Sequence, residues 1–111
     1  MCKPILVLFA LIVCLVPVAW AGAPPERDEV VSALRAGGYV LFLRHPKTHP
    51  DQADTDPLHL ENVAAQRQLT DEGRAQAKAI GAAFRELGIP IGRILSSRFF
   101  RAQEAARLLG W

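Results

Sequence analysis

Apolar residues fall into three kinds of run along this chain. The first, Ile5 to Trp20, is nearly continuous and uncharged; it follows Lys3 and ends in Ala19-Trp20-Ala21 before Gly-Ala-Pro-Pro. That is the pattern of a secretory leader, with small residues at the cleavage site. Cleavage is expected after Ala21, because a cut after Ala23 would leave Pro24 as the first mature residue. The run falls short of the roughly 20 apolar residues a spanning helix needs, and Pro17 interrupts it, so a leader is preferred to an uncleaved anchor. Val13 before Cys14 argues against a lipoprotein.

The second kind is helical. Glu26 to Ala36 places Val30, Val31 and Leu34 on one face, and Gly37-Gly38 ends it. From Thr70, a good N-cap followed by Asp71 and Glu72, the stripe Ala77, Ile80, Phe84 and Leu87 predicts a helix that Gly88 stops. A further helix is predicted from Phe99 to Leu109. The third kind is compact and extended. Tyr39 to Leu43 and Pro90 to Ser97, the latter with Ile91, Ile94 and Leu95, read as buried strands.

Between Pro46 and Leu69 there is little periodicity, three prolines and several aspartates, which predicts a long loop with one helical turn near Glu61 to Gln66. The order helix, strand, loop, helix, strand, helix implies an α/β protein. Its strand-helix-strand unit predicts parallel pairing with a right-handed crossover.

Composition changes this picture in two ways. Both cysteines, Cys2 and Cys14, lie in the leader, so residues 22–111 have no disulfide of their own and depend on packing. The 111-residue chain has 13 Lys and Arg against 11 Asp and Glu, a formal net charge of +2 that becomes +1 once Lys3 leaves with the leader. Nothing in that balance suggests nucleic acid. A domain of this size buries a modest fraction of its surface, so marginal stability is expected.

Ligands of open parallel sheets collect beyond the carboxyl ends of strands. The two predicted strands deliver Arg44-His45 and Ser96-Ser97 with Arg101 at that end. Arginine forks grip phosphate oxygens in pairs, and an imidazole nitrogen beside them can attack phosphorus to form a phosphohistidine. Taken singly, each of these residues is better explained by solvated loops and helix ends. Another reading of the residues is a metal module built from His45, His49, His59, Asp51, Asp54 and Asp56, although their spacing follows no metal signature.

Three motifs in order decide between these readings: Val40-Leu-Phe-Leu-Arg44-His45-Pro46-Lys47-Thr48, Leu69-Thr70-Asp71-Glu72-Gly73-Arg74-Ala75-Gln76-Ala77, and Ser96-Ser97-Arg98-Phe99-Phe100-Arg101-Ala102-Gln103-Glu104-Ala105-Ala106. With them the chain resembles the histidine phosphatase, or phosphoglycerate-mutase-like, superfamily over nearly all of residues 22–111. The resemblance implies a three-layer α/β/α fold with parallel central strands. It also implies hydrolysis of phosphate monoesters through His45 as the phospho-accepting nucleophile, with Arg44 and Arg101 binding phosphoryl oxygens, Thr48 as a weaker phosphate contact, and no metal or other cofactor. Its substrates would be phosphorylated small molecules or phosphoproteins, and the leader would place it in the periplasm or outside the cell.

Pro46 stands where the family has Gly, and Ala105 where it has Thr. The family's second histidine and its carboxylate proton donor fall after Trp111, so the fold is expected to be incomplete, with residues 22–111 as its N-terminal part. His49 and His59 lie in the first loop and do not match that second histidine. The alternative expectation is a non-catalytic relative that at most binds phosphate.

Overall fold

The computed structural model describes residue 22 and residues 25–111. The expected leader and its expected cleavage site at Ala21 lie outside the described residues. Three α-helices organise the remainder: α1, Arg27–Ala36; α2, Asp71–Glu86; and α3, Phe100–Leu108. A 3₁₀ turn, Val63–Ala65, falls where a helical turn was expected in the long loop.

α2 is the best-determined element of the sequence pattern. The Thr70 hydroxyl accepts the backbone N–H of Gly73 at 2.9 Å, which satisfies one of the first-turn donors, and Asp71 and Glu72 complement the positive end of the helix. At the other end Gly88 has φ +65°, the N–H of Gly88 donates to the Arg85 carbonyl at 3.1 Å, and the N–H of Ile89 donates to the Phe84 carbonyl at 3.0 Å. This is a Schellman closure. Only a residue free of left-handed strain closes the helix so cheaply, and the turn tucks Ile89 into the interior.

α3 packs along α2. Gly81 lets the two chains meet: a Cβ there would collide with the carbonyl of Leu109. Arg74 bridges the pair through Glu104, Nε to Oε1 at 2.8 Å, and Arg85 Nη1 donates to the Leu109 carbonyl at 2.9 Å. Trp111 then lies against Phe84, with ring centroids 6.3 Å apart, and under the Arg85 guanidinium. α1 joins this pair at one point, where Arg35 Nε donates to the Leu87 carbonyl.

The loop 46–69 returns to its own start. Thr48 and Leu69 form an isolated antiparallel bridge, with His49 N–H to the Gln68 carbonyl at 3.1 Å and Thr70 N–H to the Lys47 carbonyl at 3.0 Å. Leu69 is fully buried beside Ala77, and both are joined in the interior by the polar side chain of Gln66. Gln66 is satisfied there: its Nε2 donates to the Leu60 carbonyl at 2.7 Å and its Oε1 accepts the N–H of Phe100 at 2.7 Å. That side chain therefore fastens the loop to the start of α3.

The predicted strands depart from expectation. Among the described residues neither Tyr39–Leu43 nor Pro90–Ser97 forms a strand, and no parallel sheet connects them. Val40 and Phe42 are 97% and 94% exposed, and Leu95 is 77% exposed. A parallel strand is stable when both faces are covered and both edges paired. These apolar runs carry the composition for that environment but have no strand partners among the described residues. The α/β expectation is thus met by the helices and not by the expected central sheet.

Candidate active site

Arg44 and His45 follow directly on the exposed apolar run, and the loop that begins at Pro46 folds back on α2. Gly73 makes this approach possible, because a Cβ at that position would run into the backbone carbonyl of Lys47. Gln76, one turn further along α2, accepts the Lys47 N–H on its side-chain Oε1 at 3.2 Å, and the Lys47 ammonium pairs with Glu72. The start of α2 therefore holds the segment immediately after His45 by its backbone. Arg44, His45, Pro46, Lys47, Thr48 and Gln76 line one open cleft of about 320 Å³.

Within it the imidazole of His45 has a definite orientation. Its Nδ1 lies 2.9 Å from the carbonyl oxygen of Pro46. A carbonyl only accepts, so Nδ1 carries the hydrogen and donates, and in the neutral ring Nε2 keeps its lone pair. Pro46 has no N–H of its own, yet its carbonyl sets the tautomer of His45 and leaves Nε2 as the unprotonated nitrogen. Arg44 lines the same cleft with its guanidinium exposed to solvent.

Arg101 is placed differently. It does not line the cleft with His45; it points its Nη1 and Nη2 at the two carboxylate oxygens of Asp54, at 2.8 and 3.2 Å. This pair is mostly shielded from solvent. The Arg101 guanidinium, together with the backbone N–H of Arg67, holds the Asp54 carboxyl below the usual carboxylate range. Ser96 and Ser97 are exposed at the end of the second extended segment.

Two of the three aspartates that suggested a metal are committed elsewhere. Asp54 goes to Arg101, while Asp56 accepts from Asn62 Nδ2 at 3.1 Å and lies 2.7 Å from His59 Nδ1. No three His, Cys, Asp or Glu side chains converge among the described residues. Lys47, Gln76 and Asp54 were not predicted for the site. Gln76 had a signal in the second motif; Asp54 had none that separates it from its acidic neighbours.

An imidazole with its Nδ1 engaged and an arginine in one open cleft are residue types that can bind an anion such as phosphate. Residues 40–110 match the histidine phosphatase superfamily (branch 1). The chain is 35% identical over 91 residues to the mitochondrial serine/threonine-protein phosphatase Pgam5 of Drosophila virilis, an alignment covering 78% of this chain and 28% of that protein. It is 37% identical over 91 residues to the corresponding Drosophila grimshawi protein, with the same coverage, and 35% over 71 residues to that of Drosophila mojavensis, covering 64% of this chain and 22% of the relative. The chain thus spans less than a third of the length of these relatives. No solved structure gives a significant match. By the extent of the match and the motifs it contains, the chain belongs to the histidine phosphatase superfamily.

Proposed function

We propose that this chain takes the phosphoryl group of a phosphate monoester onto His45 as part of an exported phosphomonoesterase. The observation that carries the reading is the Nδ1-to-Pro46 hydrogen bond, which leaves Nε2 available beside Arg44 in an open cleft. In the first step Nε2 forms a bond to phosphorus as the bond from phosphorus to the leaving oxygen breaks. The alcohol departs once that oxygen gains a proton. In the second step water attacks phosphorus, the nitrogen–phosphorus bond breaks, and inorganic phosphate leaves. Arg44, in the same cleft, stabilises the negative charge on the transferring oxygens, and the motif that contains Arg101 supports a second phosphoryl contact from outside it.

The substrate is a phosphorylated small molecule or a phosphoprotein, and the similarity to Drosophila serine/threonine-protein phosphatases favours the latter. The leader of residues 1–21 supports a periplasmic or secreted location. N-terminal sequencing of exported protein should begin at Gly22; an intact Met1 on membrane-bound protein would contradict this.

A second reading is a phosphate-binding relative with little turnover, supported by the placement of Arg101, which pairs with Asp54 and does not line the cleft with His45. The test is turnover of an aryl phosphate by the full chain and by His45→Ala. Activity that vanishes in the variant supports the enzyme; phosphate binding with no turnover supports the second reading; undiminished turnover in His45→Ala excludes the histidine mechanism.

A further inference from the structure

Asp54 is the one carboxylate that grips an arginine implicated in phosphate binding, and the phosphoryl chemistry above gives it no role. Two contacts fix the Arg101 guanidinium. Its Cζ sits 4.3 Å from the centroid of the Phe99 ring, which sets the plane of the group. The bidentate pair with Asp54 sets its rotation within that plane. An arginine has five N–H donors, and Asp54 meets only the terminal nitrogens. The Nε edge, which can grip two oxygens of an anion, has no partner among the described residues.

Asp54 is itself held and does not swing freely. Its Oδ1 accepts the Arg67 N–H at 2.9 Å, and Arg67 Nε donates to the Gln52 carbonyl at 2.8 Å. Gln52 Oε1 accepts the Gln68 N–H at 2.8 Å, and the Gln68 carbonyl accepts the His49 N–H where the loop closes. A continuous set of hydrogen bonds thus leads from Arg101 through Asp54 to the segment that begins at His45.

We propose that Asp54 is a positioning residue for phosphate recognition: it orients Arg101 with its Nε edge open to a phosphoryl group and ties that arginine to the loop of the nucleophile. This rests on the reading of Arg101 as a phosphate ligand. Asn at position 54 still accepts the Arg67 N–H but loses the charge and one of the two bonds to Arg101.

The experiment is calorimetric titration of the full chain with inorganic phosphate, comparing wild type, Asp54→Asn, Arg101→Ala and the double variant. Asp54→Asn should weaken binding about tenfold through misorientation of the fork. In the Arg101→Ala background the same substitution should change affinity by less than about twofold, since coupled residues lose one shared effect. Tighter binding by Asp54→Asn would show that Asp54 competes with phosphate for Arg101, and an equal loss in both backgrounds would show a general structural role; either overturns the proposal. If Asp54→Asn loses its helical circular dichroism, Asp54→Glu decides, with a folded but weaker binder expected and wild-type affinity overturning the proposal. Wild-type affinity in Arg101→Ala, or no phosphate binding by the wild type, removes the underlying reading and this inference with it.

Discussion

His45, Gly73 and Asp54 show how unevenly single residues announce their tasks. His45 stood out as a candidate because Arg-His follows an apolar run and imidazole beside guanidinium is a recognisable phosphoryl-transfer pair. Its tautomer was not legible, since it depends on where the Pro46 carbonyl points. Gly73 appeared in a motif without a reason, and the close approach of the Lys47 carbonyl supplies one. Gly73→Ala should destabilise the protein by about 1–3 kcal/mol, the usual cost of overpacking, measured by urea denaturation. It should also weaken phosphate binding, because the segment that moves adjoins His45. Asp54 gives a pH signature. Its carboxyl titrates below the ordinary value in the folded protein, through Arg101 and the Arg67 N–H, so the unfolded chain binds its proton more readily. The stabilisation is present above the unfolded value of about 3.9 and is lost as pH falls through the lower folded value. The stability difference between wild type and Asp54→Asn should therefore be full near neutral pH and shrink in acid. A difference that grows in acid would contradict the assignment.

At the scale of elements, the helices were readable because their signals are local. A cap, an acidic first turn, a stripe and a closing glycine all lie within α2 itself, and its observed bounds, Asp71–Glu86, agree with the pattern. Thr70→Ala should cost about 1 kcal/mol of stability by denaturant titration, the worth of a single N-cap. The loop 46–69 was recognised as a loop, but its closure was hidden, because it depends on Gln52, Asp54 and Gln66 reaching partners far away in sequence. Gln66 is the test of that closure. Its truncation to Ala would leave the Leu60 carbonyl and the Phe100 N–H without it in a buried setting, a loss of about 1–3 kcal/mol. Protection of the Phe100 amide in hydrogen exchange should fall in step. The extended segments failed as strands for the converse reason. Tyr39–Leu43 has the right residues, yet a strand exists only through its neighbours.

For the whole molecule, that failure leaves an apolar surface at Val40, Phe42 and Leu95, directly before Arg44-His45 and Ser96-Ser97. Exposed, unpaired runs of this kind promote association. Val40→Lys with Phe42→Lys should shift full-chain protein toward monomer in sedimentation, whereas unchanged association would place the sticky surface elsewhere. The central claim, that the phosphoryl group passes through His45, does not depend on fast turnover and is open to one direct measurement. Full-chain protein mixed briefly with a labelled phosphate monoester and quenched in base should carry label that survives base and is lost in acid, as a phosphoramidate does. His45→Ala should carry none. Base-stable, acid-labile label of undiminished intensity in His45→Ala would contradict the account.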